Sequence, residues 1–234
     1  MNTKAYDKLQ AVQAIPHLWN PLTADERTMM LKSVEIKFFE KDCIIYQEKE
    51  HPVFLYCLIL GKVKISKGGV IGGHKQIIRA VKPGGLFGYR AYFAEEEYKT
   101  TAAVFEDSVV LRIPLSLIER LVMENAHIAR FLIRDLAIDL GNADTLTISL
   151  TQKHVRGRLA ETLVFLEENY GLEEDGSTLS VYMSRDDLAC MSNMTTSNAI
   201  RTLSAFVNDK VIATDGRKIK IISDGELRKI AQYG

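Results

Sequence analysis

The segment from Met183 to Ile212, MSRDDLACMSNMTTSNAIRTLSAFVNDKVI, constrains the fold more tightly than any other part of this chain. It predicts two short helices joined by a tight turn, with a third apolar-periodic segment packed behind. Ser184 is placed as an N-cap, and Asp186 and Asp187 fall in the first turn, where the helix macrodipole favours negative charge. Leu188, Ala189 and Met191 supply the buried side of that helix. Ser192-Asn193 makes the turn, because Asn tolerates the left-handed conformation and bonds its own backbone. Thr195 caps a second helix in which Ala199, Ile200 and Leu203 are expected to face inward, and Thr196, Ser197, Asn198 and Arg201 outward. In a helix-turn-helix the second helix enters the major groove with its N-terminal residues at the base edges. A two-helix hairpin in an enzyme's helical lobe shares the same local pattern.

The residues that follow favour the first alternative. Val211–Thr214 and Lys218–Ile222 flank Asp215-Gly216-Arg217, and Asp-Gly between β-branched runs signals a hairpin. A basic-tipped hairpin directly after a helix-turn-helix is the layout of a winged helix. Arg217, Lys218 and Lys220 then become sequence-independent phosphate contacts, although ordinary solvated charges on an edge hairpin would look the same, Lys220 above all. Arg185, at the start of the first helix, is expected to grip phosphate rather than a base.

Upstream, the period is that of strands from about Ile36 to Pro114. Phe54–Leu60, Lys62–Lys67 and Gln76–Val81 read as strands, with turns at Gly68-Gly69, Gly72-Gly73 and Pro83-Gly84-Gly85. Short strands at this spacing make a sandwich, barrel or roll. From Ser116 to about Thr151 the period turns helical. Leu132, Leu136, Ala143, Leu146 and Leu150 follow alternating steps of four and three, a coiled-coil seam that Asp139 interrupts. Such a helix packs either on the β-domain or against its twin in a dimer; its length favours the twin, where a polar seam residue can set register. Gly141 in mid-helix lowers local stability or permits close approach. Beyond it, Val155, Leu159, Leu163 and Leu166 make a helix, residues 171–176 an acidic loop, and Ser180–Met183 a short strand. The class is α+β. The division runs between residues 1–152, with the long helix at about 116–151, and residues 153–234.

Composition narrows the function. The 30 Lys+Arg are balanced by 30 Asp+Glu in 234 residues, so no global basic field announces nucleic acid, and any DNA binding must come from a local patch that a dimer doubles. The N-terminus lacks a signal-peptide pattern and no apolar run reaches membrane-spanning length, which places the chain in the cytoplasm and away from membranes. Cys43, Cys57 and Cys190 have no paired or metal-ligand spacing, and Cys57 reads as a small buried hydrophobe. No Ser/His/Asp set, HExxH or Walker sequence is present, so no catalytic residues and no enzyme are expected.

Leu55-Tyr56 through Gly61, Pro83-Gly84 through Gly88, Phe93, Glu106-Asp107-Ser108, Val155–Leu159 and Ser184-Arg185 through Ile212 stand in an order and spacing that resembles the Crp/Fnr family of bacterial transcription regulators. The resemblance covers nearly the whole chain. It implies an N-terminal double-stranded β-roll, jelly-roll-like and of cyclic-nucleotide-binding type, then a long central dimerisation helix and a C-terminal winged helix-turn-helix. It also implies a homodimer on double-stranded DNA with a roughly palindromic site, and RNA polymerase as a further partner. A regulatory or interaction module of cyclic-nucleotide-binding type without DNA binding is the alternative.

The departures from the family pattern concern the signal. Cyclic-nucleotide-binding members hold a Gly-Glu pair for the ribose and an Arg-Ser/Thr-Ala run for the phosphate. Here Gly88 is followed by Tyr89, Arg90 and Ala91, and the later run is Lys99-Thr100-Thr101 without an arginine. A bidentate guanidinium suits a phosphate diester, whereas a lysine is a point charge on a flexible stem. The expectation is therefore an effector other than cAMP or cGMP. Arg90 and Lys99 are available to another anion, unless Arg90 pairs with Glu95–Glu97 on the surface. No metal or cofactor is expected. An iron–sulfur cluster needs several closely spaced cysteines, and haem would rest on a single ligand among His17, His51, His74, His127 and His154. In the recognition helix the family's Arg-Glu start is Thr196-Ser197, while Arg201 keeps the position that reads guanine. This predicts a half-site unlike the family's best-known TGTGA.

Overall fold

Alternation along β-rich segments, broken by turn residues, builds the N-terminal part as two facing sheets. The computed structural model describes residues 6–68 and 75–234, so the turns expected at Gly69 and Gly72-Gly73 lie outside the described residues, as does His74. Three short helices come first: α1 (Lys8–Gln13), α2 (Pro16–Trp19) and α3 (Ala24–Ser33). Thr23 starts α3 with a capping box, its hydroxyl accepting from the Glu26 amide while the Glu26 carboxylate accepts from the Thr23 amide at 2.7 Å. Then come strands β1 (Glu35–Phe39), β2 (Ile44–Tyr46), β3 (Phe54–Leu60), β4 (Val63–Gly68), β5 (Lys75–Val81) and β6 (Leu86–Phe87). The one-turn helix α4 (Arg90–Phe93) precedes β7 (Thr101–Val104) and β8 (Ser108–Pro114). The sheets are ordered β1-β8-β3-β6 and β2-β7-β4-β5. In the first, β3 runs antiparallel between β8 and β6; in the second, β7 runs antiparallel between β2 and β4.

The near-continuous apolar run of β3 has two destinations. Successive side chains on a strand point to opposite faces. Tyr56 and Leu58 therefore enter the roll interior with Phe39, Tyr46, Val63, Phe87 and Tyr98, while Leu55 and Cys57 join an outer core with Leu18, Trp19, Met30, Leu111 and Ile113. Burial pushes the Cys57 thiol up to about 12, which leaves it packing rather than reacting.

The helical stretch expected as one piece is two helices, α5 (Leu115–Glu124) and α6 (Ala126–Gln152). Asn125 divides them. It leaves the helical conformation (φ −131°, ψ 99°), accepts from the His127 amide at 3.1 Å, and donates to the Pro21 carbonyl at 3.2 Å. The seam is corrected as well. Leu132 is buried in the outer core of the roll and Leu136 packs against it, because an apolar sheet face lies within reach of that side of α6. Ala143 is exposed, and Leu146 and Leu150 are half-buried. The apolar residues that α6 leaves outward are Ile133, Ile138, Leu140 and Ile148.

The remaining elements are α7 (Val155–Tyr170), α8 (Arg185–Met191), α9 (Thr196–Asn208), β9 (Ile212–Asp215), β10 (Lys218–Ile221) and α10 (Asp224–Tyr233). β9 and β10 form the antiparallel hairpin expected around Asp215-Gly216, with Gly216 at φ 54°. Arg228 ties α10 to α7 by ion pairs to Glu167 (2.7 Å) and Glu168 (2.6 Å). Ser180–Met183 is not a strand; one residue pair earlier, Leu172 bridges Leu179, and Thr178 bridges Lys220 of β10. The chain packs as two units, one holding residues 6–67 and 78–141 and the other built on Asn142–Gly234. The division between these packed units falls inside α6, after Gly141. Ser149 and Lys153 explain this, since both bond the Glu161 carboxylate of α7.

Candidate nucleic-acid interface

Local capping chemistry builds the helix-turn-helix. The Ser184 hydroxyl accepts from the Asp187 amide at 3.0 Å, and the Thr195 hydroxyl from the Asn198 amide at 3.2 Å, so α8 and α9 each start on a satisfied cap. Asn193 takes the left-handed conformation at φ 48°. Arg158 of α7 holds this turn from behind, its guanidinium donating to the carbonyls of Ser192 (2.9 Å) and Asn193 (3.1 Å). Sequence reasoning missed Arg158, because its targets are backbone oxygens distant in the chain. Leu188 and Ala189 face Ala199, Leu203 and Phe206 in the buried side of the pair.

Outward, α9 presents Ser197, Ile200, Arg201 and Ser204, all exposed. Ile200, expected inside, is 49% exposed; the inward arc is already filled by Ala199, Thr202, Leu203 and Phe206. Arg201 and the neighbouring Thr196 are held by the protein itself. The Thr196 hydroxyl donates to the Asp186 carboxylate of α8 at 2.9 Å, and the Arg201 guanidinium donates to the Asn198 side-chain oxygen.

The wing is braced rather than loose. Arg185 does not present itself to phosphate: its Nη2 donates to the Gly216 carbonyl at the hairpin tip at 2.8 Å, and its Nη1 is buried. Lys218 lies 3.9 Å from Glu173 and 5.3 Å above the Tyr182 ring, and Lys220 lies 3.4 Å from Asp175. Asp175 is held well below the usual carboxylate range by the Thr178 and Ser177 amides and the Thr178 hydroxyl. Arg217 stands exposed at the tip.

In the roll, the residues expected around an effector are engaged by the chain itself. Gly88 (φ 84°) is buried where a Cβ would come within 2.5 Å of the Tyr56 ring. The buried Tyr89 hydroxyl donates to Asp135 of α6 at 2.6 Å, and burial, together with this bond, pushes its ionisation far up. Arg79 of β5, which sequence reasoning passed over, donates to Asp139 at 2.6 Å and to the Leu86 carbonyl at 2.9 Å. Arg90 approaches the same Asp139 oxygen at 3.7 Å, so its partner is Asp139 and not Glu95–Glu97. Burial outweighs these guanidinium groups, and Asp139 titrates above its ordinary value. Lys99 instead pairs with Glu96 at 2.6 Å. The two cations expected to share an anion thus serve different carboxylates. Thr101 accepts from the Glu48 amide at 3.2 Å, Ala91 packs against the interior core, and Thr100 beside the Tyr46 hydroxyl offsets part of the rise that burial gives its ionisation.

Residues 36–125 match the model of the cyclic nucleotide-binding domain, and residues 157–230 that of the Crp-like helix-turn-helix domain. The chain belongs to the Crp/Fnr family. It is a DNA-binding transcription regulator with an effector-type domain, in a class of regulators rather than of enzymes. Among its relatives, the CRP-like cAMP-activated global transcriptional regulator of Mycobacterium tuberculosis is 22% identical over 198 residues, 84% of this chain and 88% of the relative. The anaerobic regulatory protein of Bacillus subtilis is 25% identical over 189 residues, 80% of this chain and 79% of the relative. The structure of a crp/fnr-family regulator from Eubacterium rectale superposes with a TM-score of 0.80 at 15% identity, covering 94% of this chain and 99% of that one.

In this Crp/Fnr roll Gly88 is followed by Tyr89 rather than an acidic residue, and Lys99-Thr100-Thr101-Ala102 carries no arginine. Tyr46 stacks on Tyr98 at 3.8 Å and Tyr56 on Phe87 at 5.2 Å, so rings occupy the interior. The open cleft beside them sets Glu48, Glu96 and Glu97 against Lys49 and Lys99, a poor cradle for an anion. Among the described residues no cluster of three metal-ligating side chains occurs, and no helix is long and apolar enough to cross a membrane. His17, His51, His127 and His154 are all exposed.

Proposed function

We propose that this regulator acts as a homodimer that reads a roughly palindromic duplex through α9 and does so without a cyclic nucleotide. The observation that carries the reading is the outward face of α9, set on two satisfied caps and presenting Ser197, Ile200, Arg201 and Ser204. Arg201 reads guanine O6/N7, Asn198 orients it, and Thr196 and Ser197 stand beside it at the start of the helix. Arg217 at the wing tip, with Lys218 beside it, contacts phosphate without regard to sequence. Ser184, Arg185 and Thr195 act on DNA only through the elements they position. The outward residues Ile133, Ile138, Leu140 and Ile148 of α6 support self-association, and two-fold symmetry in the protein calls for symmetry in the site. The protein works in the cytoplasm and acts there on RNA polymerase.

The test is binding of the full chain to duplexes selected from a random pool. Arg201→Ala should cost roughly 1–3 kcal/mol and relax the preference for one base pair per half-site. Arg217→Ala should weaken all sequences alike and lower the salt slope by about one per wing. A selected site bound with unchanged preference by Arg201→Ala would remove α9 from the groove. Added cAMP or cGMP should leave affinity unchanged, because a ligand shifts an equilibrium only through differential binding.

A further inference from the structure

Ile200 stands on the side of α9 where a core residue has no place. Ala199, Thr202, Leu203 and Phe206 make the buried face, and Ile200 lies half-exposed between Ser197 and Ser204, beside Arg201. Positions three and four apart on a helix are neighbours, so these four residues form one outward patch. A single exposed apolar side chain ordinarily needs no explanation. This one adjoins the guanidinium that faces base edges, near the start of the helix. It also lines a cleft with Leu203, Ser204, Val207 and Thr214, bounded on one side by Arg185.

We propose that Ile200 reads a thymine through its C5-methyl group, next to the guanine addressed by Arg201. This rests on α9 being the groove-reading helix and extends it to a second base. The methyl group of thymine is the one apolar substituent that base pairs project into the major groove, and apolar side chains select it. Isoleucine carries no donor or acceptor. Opposite any other base edge it strips a polar group of water and returns no hydrogen bond, which makes the wrong base costly as well as the right one favourable. Arg201 is aimed by the Asn198 side chain, so the two adjacent readers have fixed relative directions and address adjacent base pairs.

Substitution of deoxyuridine for thymidine removes that methyl group and nothing else. The full chain is first used to select its preferred duplex, and each dT of a half-site is then replaced in turn by dU, with affinity read by fluorescence anisotropy. One position per half-site should weaken by about fourfold, the effect of one buried methyl-sized group. Ile200→Ser should bind dT and dU duplexes equally at that position while keeping the guanine preference of Arg201. Equal wild-type affinity for dT and dU at every position would overturn the inference while sequence-specific binding stood. So would an Ile200→Ser variant that kept the methyl preference. Selection of no duplex at all would sink DNA reading by α9 and this inference together. If Ile200→Ser failed to fold, the dU series on the wild type would decide alone.

Discussion

Removing either partner of the Arg79–Asp139 pair should not cost the same. The two side chains are 21% and 11% exposed and meet at 2.6 Å. Deleting one member of a buried pair costs about 3–5 kcal/mol, because the other charge is stranded. Arg79→Ala strands Asp139 beside Asp135, with only Arg90 at 3.7 Å left to offset it. Partial exposure and that residual cation reduce the expected loss to about 2–3 kcal/mol. Asp139→Ala strands Arg79, but the Leu86 carbonyl still accepts from it, so about 1 kcal/mol is expected. Replacing both with apolar residues, Arg79→Met with Asp139→Leu, should return stability to within about 1 kcal/mol of wild type. Trp19 is the single tryptophan and is buried in the outer core of the roll, so urea unfolding followed by its fluorescence reports this unit. With a slope of about 2–3 kcal/mol/M, Arg79→Ala should lower the midpoint by roughly 1 M. The pH dependence supplies a second check. Asp139 already titrates above its unfolded value; without Arg79 that value rises further, so the folded state holds the proton more tightly than the unfolded one. The deficit of Arg79→Ala should therefore shrink as pH falls from neutral toward about 4. Additive single effects, or a larger loss for Asp139→Ala than for Arg79→Ala, would refute the reasoning.

Three further outcomes follow from packing and capping. Phe206 is fully buried on the inward face of α9, with the Arg156 guanidinium 4.8 Å over its ring; Phe206→Ala should cost about 3–5 kcal/mol and abolish DNA binding, read by circular dichroism and anisotropy. Asp175 accepts from the Thr178 amide at 2.8 Å and the Ser177 amide at 3.0 Å, and its lowered titration gives stability present above the unfolded carboxylate value and lost as pH falls through the folded one. Asp175→Asn should flatten the acid limb of a pH–melting curve below about pH 4. Gly61 has φ 95°, and a Cβ there would lie 2.7 Å from the Asp107 carbonyl; Gly61→Ala should lower the melting temperature of the roll, and an unchanged value would show that the β3–β4 turn yields.

Elements governed by near neighbours in the chain were legible in the sequence. Ser184 and Thr195 cap because the donors they satisfy are three residues away, and Asp215-Gly216 turns because Gly216 tolerates a positive φ. What failed depended on distant partners. A heptad stripe states that Leu132 and Leu136 will be buried, not against what, since a sheet and a twin helix are equally apolar. Ile200 looked internal because Ala199 and Leu203 around it are. Arg79 carried no signal, for its carboxylate arrives from α6 and its carbonyl from β6.

The wing lysines and the guanidinium of Arg201 already have partners in the free protein, at Glu173, Asp175 and Asn198. A phosphate that meets Lys218 or Lys220 must compete with Glu173 or Asp175, whereas Arg217 at the tip stands exposed. A chromosome offers about a million or more competing sites to each cognate one. Lysines that must first leave a carboxylate add less to that competition than free ones would, which shifts the balance toward base contacts.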